Sequence, residues 1–128
     1  LGVTPSEVNY ELHSVALGQV NVYRFRNDLP DLEYDVSDVA QGWASKIARS
    51  GEVKHNPDLP SSMSENVAMR TESGQNPGVT IALMVQEMVV DDMQYNNANR
   101  ANMLGDYDRV SIGVAVYGDT VVLVLNFG

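Results

Sequence analysis

The chain has 128 residues, no cysteine, and 17 acidic against 8 basic side chains, a net charge of −9. That length suits one domain around one core, and zero cysteines exclude disulfides and thiol chemistry. The acidic balance argues against nucleic acid or an anionic membrane surface as partner, since both call for lysines and arginines.

A basic partner, or solubility alone, fits that charge better. Hydrophobic residues make up 44% and charged residues 20%, an ordinary soluble globular profile. No apolar run approaches the roughly 20 residues that span a bilayer, and no signal-peptide pattern is visible. The first residue is Leu1, so a processed or trimmed product is expected.

Thr4-Pro5-Ser6-Glu7 reads as a helix start, with Thr4 as cap, Pro5 in the first turn and Glu7 closing a capping box. Val8, Leu12, Val15, Ala16 and Val20 recur at helical spacing, predicting a helix to about Asn27 that ends before Leu29-Pro30. His13 falls off this stripe and is expected to be exposed. Asp35 is placed to cap a second helix, with Val36, Val39, Trp43 and Ile47 as its core stripe. Ala40, Ala44 and Ala48 flank the stripe and let another layer approach closely, and Gly51 ends the helix.

Residues 55–64 hold two prolines and three serines and read as an ordered loop; Asn66 to Met69 can pair as a short strand. Residues 73–78 form a surface loop. A third helix is predicted over about 78–94, with Ile81, Met84, Val85, Met88 and Val89 facing inward and the methionines filling core gaps. Val110, Ile112, Val114 and Val116 alternate with smaller residues, as a strand does. Gly118-Asp119 is a two-residue hairpin turn of the glycine-first type, and Val121, Leu123, Leu125 and Phe127 alternate on the return strand. Both faces of the pair are apolar, so helices should cover the sheet on both sides. The fold class is α+β.

Chemistry-bearing residues are few. His55 and, ten residues on, Glu65 could be metal ligands, an acid-base pair or a structural hydrogen-bonded pair. Ser62 or Ser64 completes a Ser/His/acid set by type, but no nucleophile elbow or oxyanion hole accompanies them. The structural pair is favoured. Tyr95 and the amide-rich run Gln94, Asn96, Asn97, Asn99 suit sugar hydroxyls or peptide backbone; capping or turn formation is the better reading for Asn102.

Several stretches resemble the CAP family of cysteine-rich secretory, antigen five and pathogenesis-related-one proteins, also called SCP-like domains. They are Asn21 and Arg24 as N-x-x-R, Leu32, Asp35, the alanine-rich second helix, His55, "SENVA" with Ser64 for glycine, "NNANRANML" in its bacterial form, and the closing "VSIGVAVYGDTVVLVLNFG". The resemblance spans about residues 6–128 and implies a three-layer α-β-α sandwich with a small antiparallel sheet, a single domain over 1–128.

The resemblance also implies a cleft with two histidines and two acids, often holding zinc or another divalent ion. Here the first histidine is His55 and the first glutamate Glu65. The second histidine falls on Asn99, the second glutamate on Asn96, and the tryptophan before it on Met93. Neutral amides are poor zinc ligands, so His55 and Glu65 remain as weak metal candidates. No cofactor is expected beyond a weakly bound divalent cation. Asp92 with Asn96 and Asn99, on one face if the helix continues, offers oxygens to a hard cation, though a solvated helix end is the better reading. Arg100 matches the family's arginine and is expected to form a scaffold salt bridge.

The resemblance therefore implies a secreted, extracellular or cell-surface bacterial module, more binding protein than enzyme, with a cleft at His55, Glu65, Asn96 and Asn99 and no catalytic residue. Its partner would be a lipid, a cell-wall glycan or a protein. Nucleic acid, membrane insertion and oligomerisation are not expected. The alternatives are a metal-dependent or acid-base hydrolase of peptide or cell-wall substrates, and a structural module with a vestigial cleft.

Overall fold

The computed structural model describes residues 10–128; the expected cap at Thr4 to Glu7 lies outside them. The order is α1 (Tyr10–Arg26), β1 (Glu33–Tyr34), α2 (Val39–Ser50), β2 (Ser64–Thr71), α3 (Pro77–Val90), a 3-10 turn (Met93–Tyr95), α4 (Ala98–Met103), β3 (Arg109–Tyr117) and β4 (Thr120–Phe127). Four strands form one sheet in the order β1-β3-β4-β2. β2, β4 and β3 pair antiparallel, whereas the short β1 runs parallel to β3. The sheet is therefore mixed rather than purely antiparallel.

Alternation along β3 and β4 splits the core in two. Val110, Ile112, Val114, Val121, Leu123, Leu125 and Phe127 pack with Ala16 and Val20 of α1 and with Ile81, Met84, Val85, Met88 and Val89 of α3. Ala115, Val122 and Val124 pack against α2 on the other face. This is the three-layer α-β-α sandwich. Gly118 supplies the positive φ of 59° that a glycine-first hairpin turn requires.

The second helix differs from expectation. Residues 33–35 run along β3, with Glu33 N–H donating to Asp108 O and Asp35 N–H to Val110 O, both at 2.9 Å. The helix cannot start until Asp38, and Val36 and Val39 stay exposed at 82% and 47%. The alanines, with Gln41, Trp43, Ser45 and Ile47, form the buried side instead. They bring α2 so near the sheet that a Cβ on Gly113 would lie 2.1 Å from Ala40 O.

His13 is also not where the stripe predicts it. It is 3% exposed, with its two ring nitrogens bonded to Tyr34 Oη and Gln41 Oε1, each at 2.8 Å. Gln41 Oε1 also accepts from Val114 N–H, and its amide nitrogen donates to Val114 O at 2.8 Å. That oxygen must be an acceptor, so His13 donates from Nε2 and, when neutral, accepts the Tyr34 hydroxyl at Nδ1.

The N-x-x-R pair holds the fold together. Asn21 exchanges two hydrogen bonds with the backbone of Leu32. Arg24, 1% exposed, donates to the carbonyls of Pro30, Met103 and Gly105. Three carbonyl acceptors explain why a buried guanidinium is tolerated. No helix among the described residues is long and apolar enough to cross a membrane.

Candidate functional site

The loop between α2 and β2 carries His55, and two anchors hold it. Trp43 Nε1–H donates to Lys54 O at 2.9 Å. Glu65 Oε1, on β2, accepts from Asn56 N–H and from His55 Nδ1, each at 2.9 Å. Glu65 is buried and His55 is not: their side chains are 3% and 72% exposed. A ring that donates through Nδ1 to a carboxyl group keeps, when neutral, an acceptor lone pair on Nε2. The loop is thus tied to strand β2.

The facing wall comes from the chain after α3. That helix stops at Val90 rather than near residue 94. Asp92, 3% exposed, then organises a compact turn. Its Oδ1 accepts from Asn99 Nδ2 at 2.9 Å and its Oδ2 from Arg100 N–H at 3.0 Å, serving the free N–H end of α4 as an external cap. Asn96 and Asn97 take left-handed φ values of 54° and 60°. Asparagine tolerates that conformation better than most residues, so these two amides answer a backbone need first.

Asp92, Asn96 and Asn99 therefore do not share a helical face, and both Asp92 oxygens are already hydrogen-bonded. The shared helical face on which the hard-cation reading rested is not formed. Among the described residues Arg100 forms no salt bridge, against expectation; it donates to Val89 O at 2.7 Å, closing the end of α3. The Asn102 side chain donates to Asn66 Oδ1 at 2.9 Å and, more weakly, to Glu65 O, while its backbone carbonyl accepts from Gly105 N–H in the turn that ends α4. Asn66 in turn donates to Asn99 O at 3.0 Å. The asparagine of "SENVA" thus clamps α4 onto β2.

His55, Asn96 and Asn99 line one cavity of about 360 Å³, together with Val53, Val67 and Tyr95. Glu65 lies beneath it, behind His55. A second cavity of about 340 Å³ shares Val53, Val67, Tyr95 and Asn99 and extends along α3 to Met69, Arg70, Glu87 and Asp91. Arg70 is ion-paired with Glu72 and Glu87 at this rim. The rim was missed in the sequence, although Met84, Glu87, Met88 and Asp91 follow a helical i, i+3, i+4, i+7 spacing.

The serines do not join this site. Ser64 Oγ bonds Tyr107 Oη at 2.6 Å, on the opposite side of β2 from Glu65 by alternation. No hydrogen bond links Ser62 or Ser64 to His55 among the described residues, so the Ser/His/acid set is not assembled. Among those residues no three His, Cys, Asp or Glu side chains group to hold a metal ion. A zinc ion wants about four donors; His55 and Glu65 bond each other, and the amide nitrogen of Asn99 is spent on Asp92. The residues present do not fit zinc.

Residues 17–127 match the CAP family, described as the cysteine-rich secretory protein family. The chain belongs to this family. The CAP fold is also seen in the crystal structure of hookworm platelet inhibitor, with a TM-score of 0.60 and 19% identity over 94% of this chain and 70% of that one. No protein of curated function gives a significant sequence match. Within the CAP fold, Asn21, Arg24 and Asn66 hold elements together, whereas His55, Asn96 and Asn99 border open space.

Proposed function

We propose that this CAP chain is a secreted bacterial module, a single monomeric domain, that binds an extracellular ligand in the cleft around His55, Glu65, Asn96 and Asn99 and performs no chemistry on it. The ligand class is a lipid, a cell-wall glycan or a protein surface. One observation carries the reading: an exposed imidazole on a doubly anchored loop stands at a cavity whose other wall offers carboxamides. Amides and a tyrosine give hydrogen bonds without charge or nucleophilicity, which suits recognition. The family's metal tetrad is degenerate here, with Asn99 and Asn96 in place of the second histidine and acid.

Isothermal titration with zinc alone tests the degenerate tetrad. The wild-type chain should show no stoichiometric high-affinity site, and Asn99→His should gain affinity. Tight one-to-one zinc binding by the wild type refutes it. NMR titrations with lipid vesicles, solubilised peptidoglycan fragments and candidate proteins test the cleft itself. Shifts should centre on His55, Tyr95 and Asn99, and saturable binding mapped elsewhere refutes the assignment.

A hydrolase is the second reading, favoured by the 2.9 Å His55–Glu65 bond, which orients an imidazole as a general base requires. It predicts that His55→Ala abolishes turnover of a peptide or glycan substrate while the chain stays folded. The unassembled serines and absent tetrad weigh against it.

A further inference from the structure

All the buried side-chain nitrogens and oxygens without a hydrogen-bond partner among the described residues fall on three residues: Glu65 Oε2, Ser111 Oγ, and both Oδ1 and Nδ2 of Asn126. These three are neighbours. Glu65 lies directly opposite Asn126 across β2 and β4, and Ser111 directly opposite Asn126 across β3 and β4. Directly opposed residues send their side chains to the same face. Two residues along each strand, Val67, Val124 and Gly113 face α2, so the polar row lies on that face too. Glu65, Asn126 and Ser111 are only 7%, 1% and 1% exposed.

Buried polar groups in folded proteins nearly always find partners, so this clustering needs a cause. Direct bonds from Ser111 Oγ–H to Asn126 Oδ1 and from the Asn126 amide nitrogen to Glu65 Oε2 would pair all four atoms, but the structure makes neither. The row needs a small group that both donates and accepts, in up to four directions. Water is that group, and polar internal sites with several partners are where it binds. We propose that Glu65, Asn126 and Ser111 form an internal water site beneath α2. Its bound water holds the Glu65 carboxyl from behind, so that Oε1 stays aimed at His55 and Asn56. Asn126 and Ser111 are then positioning residues for the cleft loop, although neither borders the cleft.

The water site itself stands independently of what the cleft binds; only its importance for ligand binding rests on the function proposed above. Two measurements test it. A high-resolution crystal structure should show an ordered water within hydrogen-bond distance of Glu65 Oε2 and the Asn126 amide. Native-state hydrogen exchange should show the Asn56 amide, which donates to Glu65 Oε1, exchanging about tenfold faster in Asn126→Leu. Amides of the β3–β4 ladder should keep their wild-type rates, and Asn126→Ser, which restores a polar partner, should recover much of the Asn56 protection. If Asn126→Leu does not fold, Ser111→Ala provides the same comparison. A direct Glu65–Asn126 hydrogen bond with no density between them overturns the proposal, as does a metal ion in that position. Unchanged Asn56 exchange in a folded variant overturns the positioning role. None of these outcomes depends on finding the cleft's ligand.

Discussion

His13 sits among Tyr34, Gln41 and Tyr10, and burial pushes its pKa below the ordinary value of 6.5, with the Gln41 hydrogen bond pulling the other way. The Tyr34 phenol is raised, mainly by burial, so it remains a hydroxyl donor. The consequence for stability has a definite sign. As pH falls, the unfolded chain takes up the histidine proton before the folded one does. His13 therefore contributes fully above about pH 6.5, and stability declines as pH drops through that value toward the lower folded pKa. Urea unfolding from pH 8 to pH 5 should show a steeper loss in the wild type than in His13→Gln. The difference in slope is bounded by about 1.4 kcal/mol per pH unit. Equal slopes in the two chains would show that His13 is not held neutral. Helical spacing could not reveal this residue's burial, because what covers it comes from positions 34 and 41, in separate elements. The opposite error at Val36 has the same origin: the apolar side chain was legible, but not the pairing with β3 that keeps its segment extended.

At the scale of elements, α2 is fastened to the sheet by close approach and by one amide. Gln41 makes both backbone bonds that a neighbouring strand would make to Val114. This occupies β3 beyond the two-residue reach of β1. The approach leaves no space at Gly113, where an added methyl would meet the backbone of Ala40 and Gln41 rather than a side chain able to swing away. Overpacked cores lose about 1–3 kcal/mol, and a backbone clash belongs at the upper end. Gly113→Ala should therefore cost about 3 kcal/mol in urea unfolding, whereas Gly42→Ala, which meets nothing within 4 Å, should be neutral or slightly stabilising. A Gly113→Ala chain as stable as wild type would mean that α2 lies farther from β3. Helix and strand periods made most elements legible: α3's inward residues and the β3–β4 hairpin fall where the pattern puts them. The break between α3 and α4 was not legible. Its cause is a carboxyl group that caps a helix from outside, six residues before that helix begins, together with two asparagines whose left-handed backbone no side-chain pattern reveals. The His55–Glu65 pair was legible from residue type and from the family resemblance, not from spacing, since the nine residues between them set no distance.

For the molecule as a whole, the two-sided sheet was readable from apolar residues on both faces of one hairpin, and the mixed pairing was not, because β1 is only two residues long. Charge is the property that acts on every element at once. With 17 acids against 8 bases, repulsion should outweigh the few cross-element attractions, chief among them Arg70 with Glu87. Exposed pairs of that kind contribute about 0–1 kcal/mol each, whereas like charges spread over the surface oppose compaction collectively. Salt shortens the reach of these forces from about 30 Å at 0.01 M to about 8 Å at 0.15 M. It therefore relieves more repulsion than it removes attraction. The melting temperature should rise with sodium chloride over that range and then flatten. A basic ligand bound at the Glu87 and Asp91 rim would respond in the opposite direction, its affinity falling as salt increases, while a lipid or neutral glycan held by the amides would be nearly indifferent. Thermal melts and binding isotherms across one salt series thus separate the two kinds of partner. A melting temperature that falls with salt would show that specific ion pairs, not net charge, dominate the surface electrostatics.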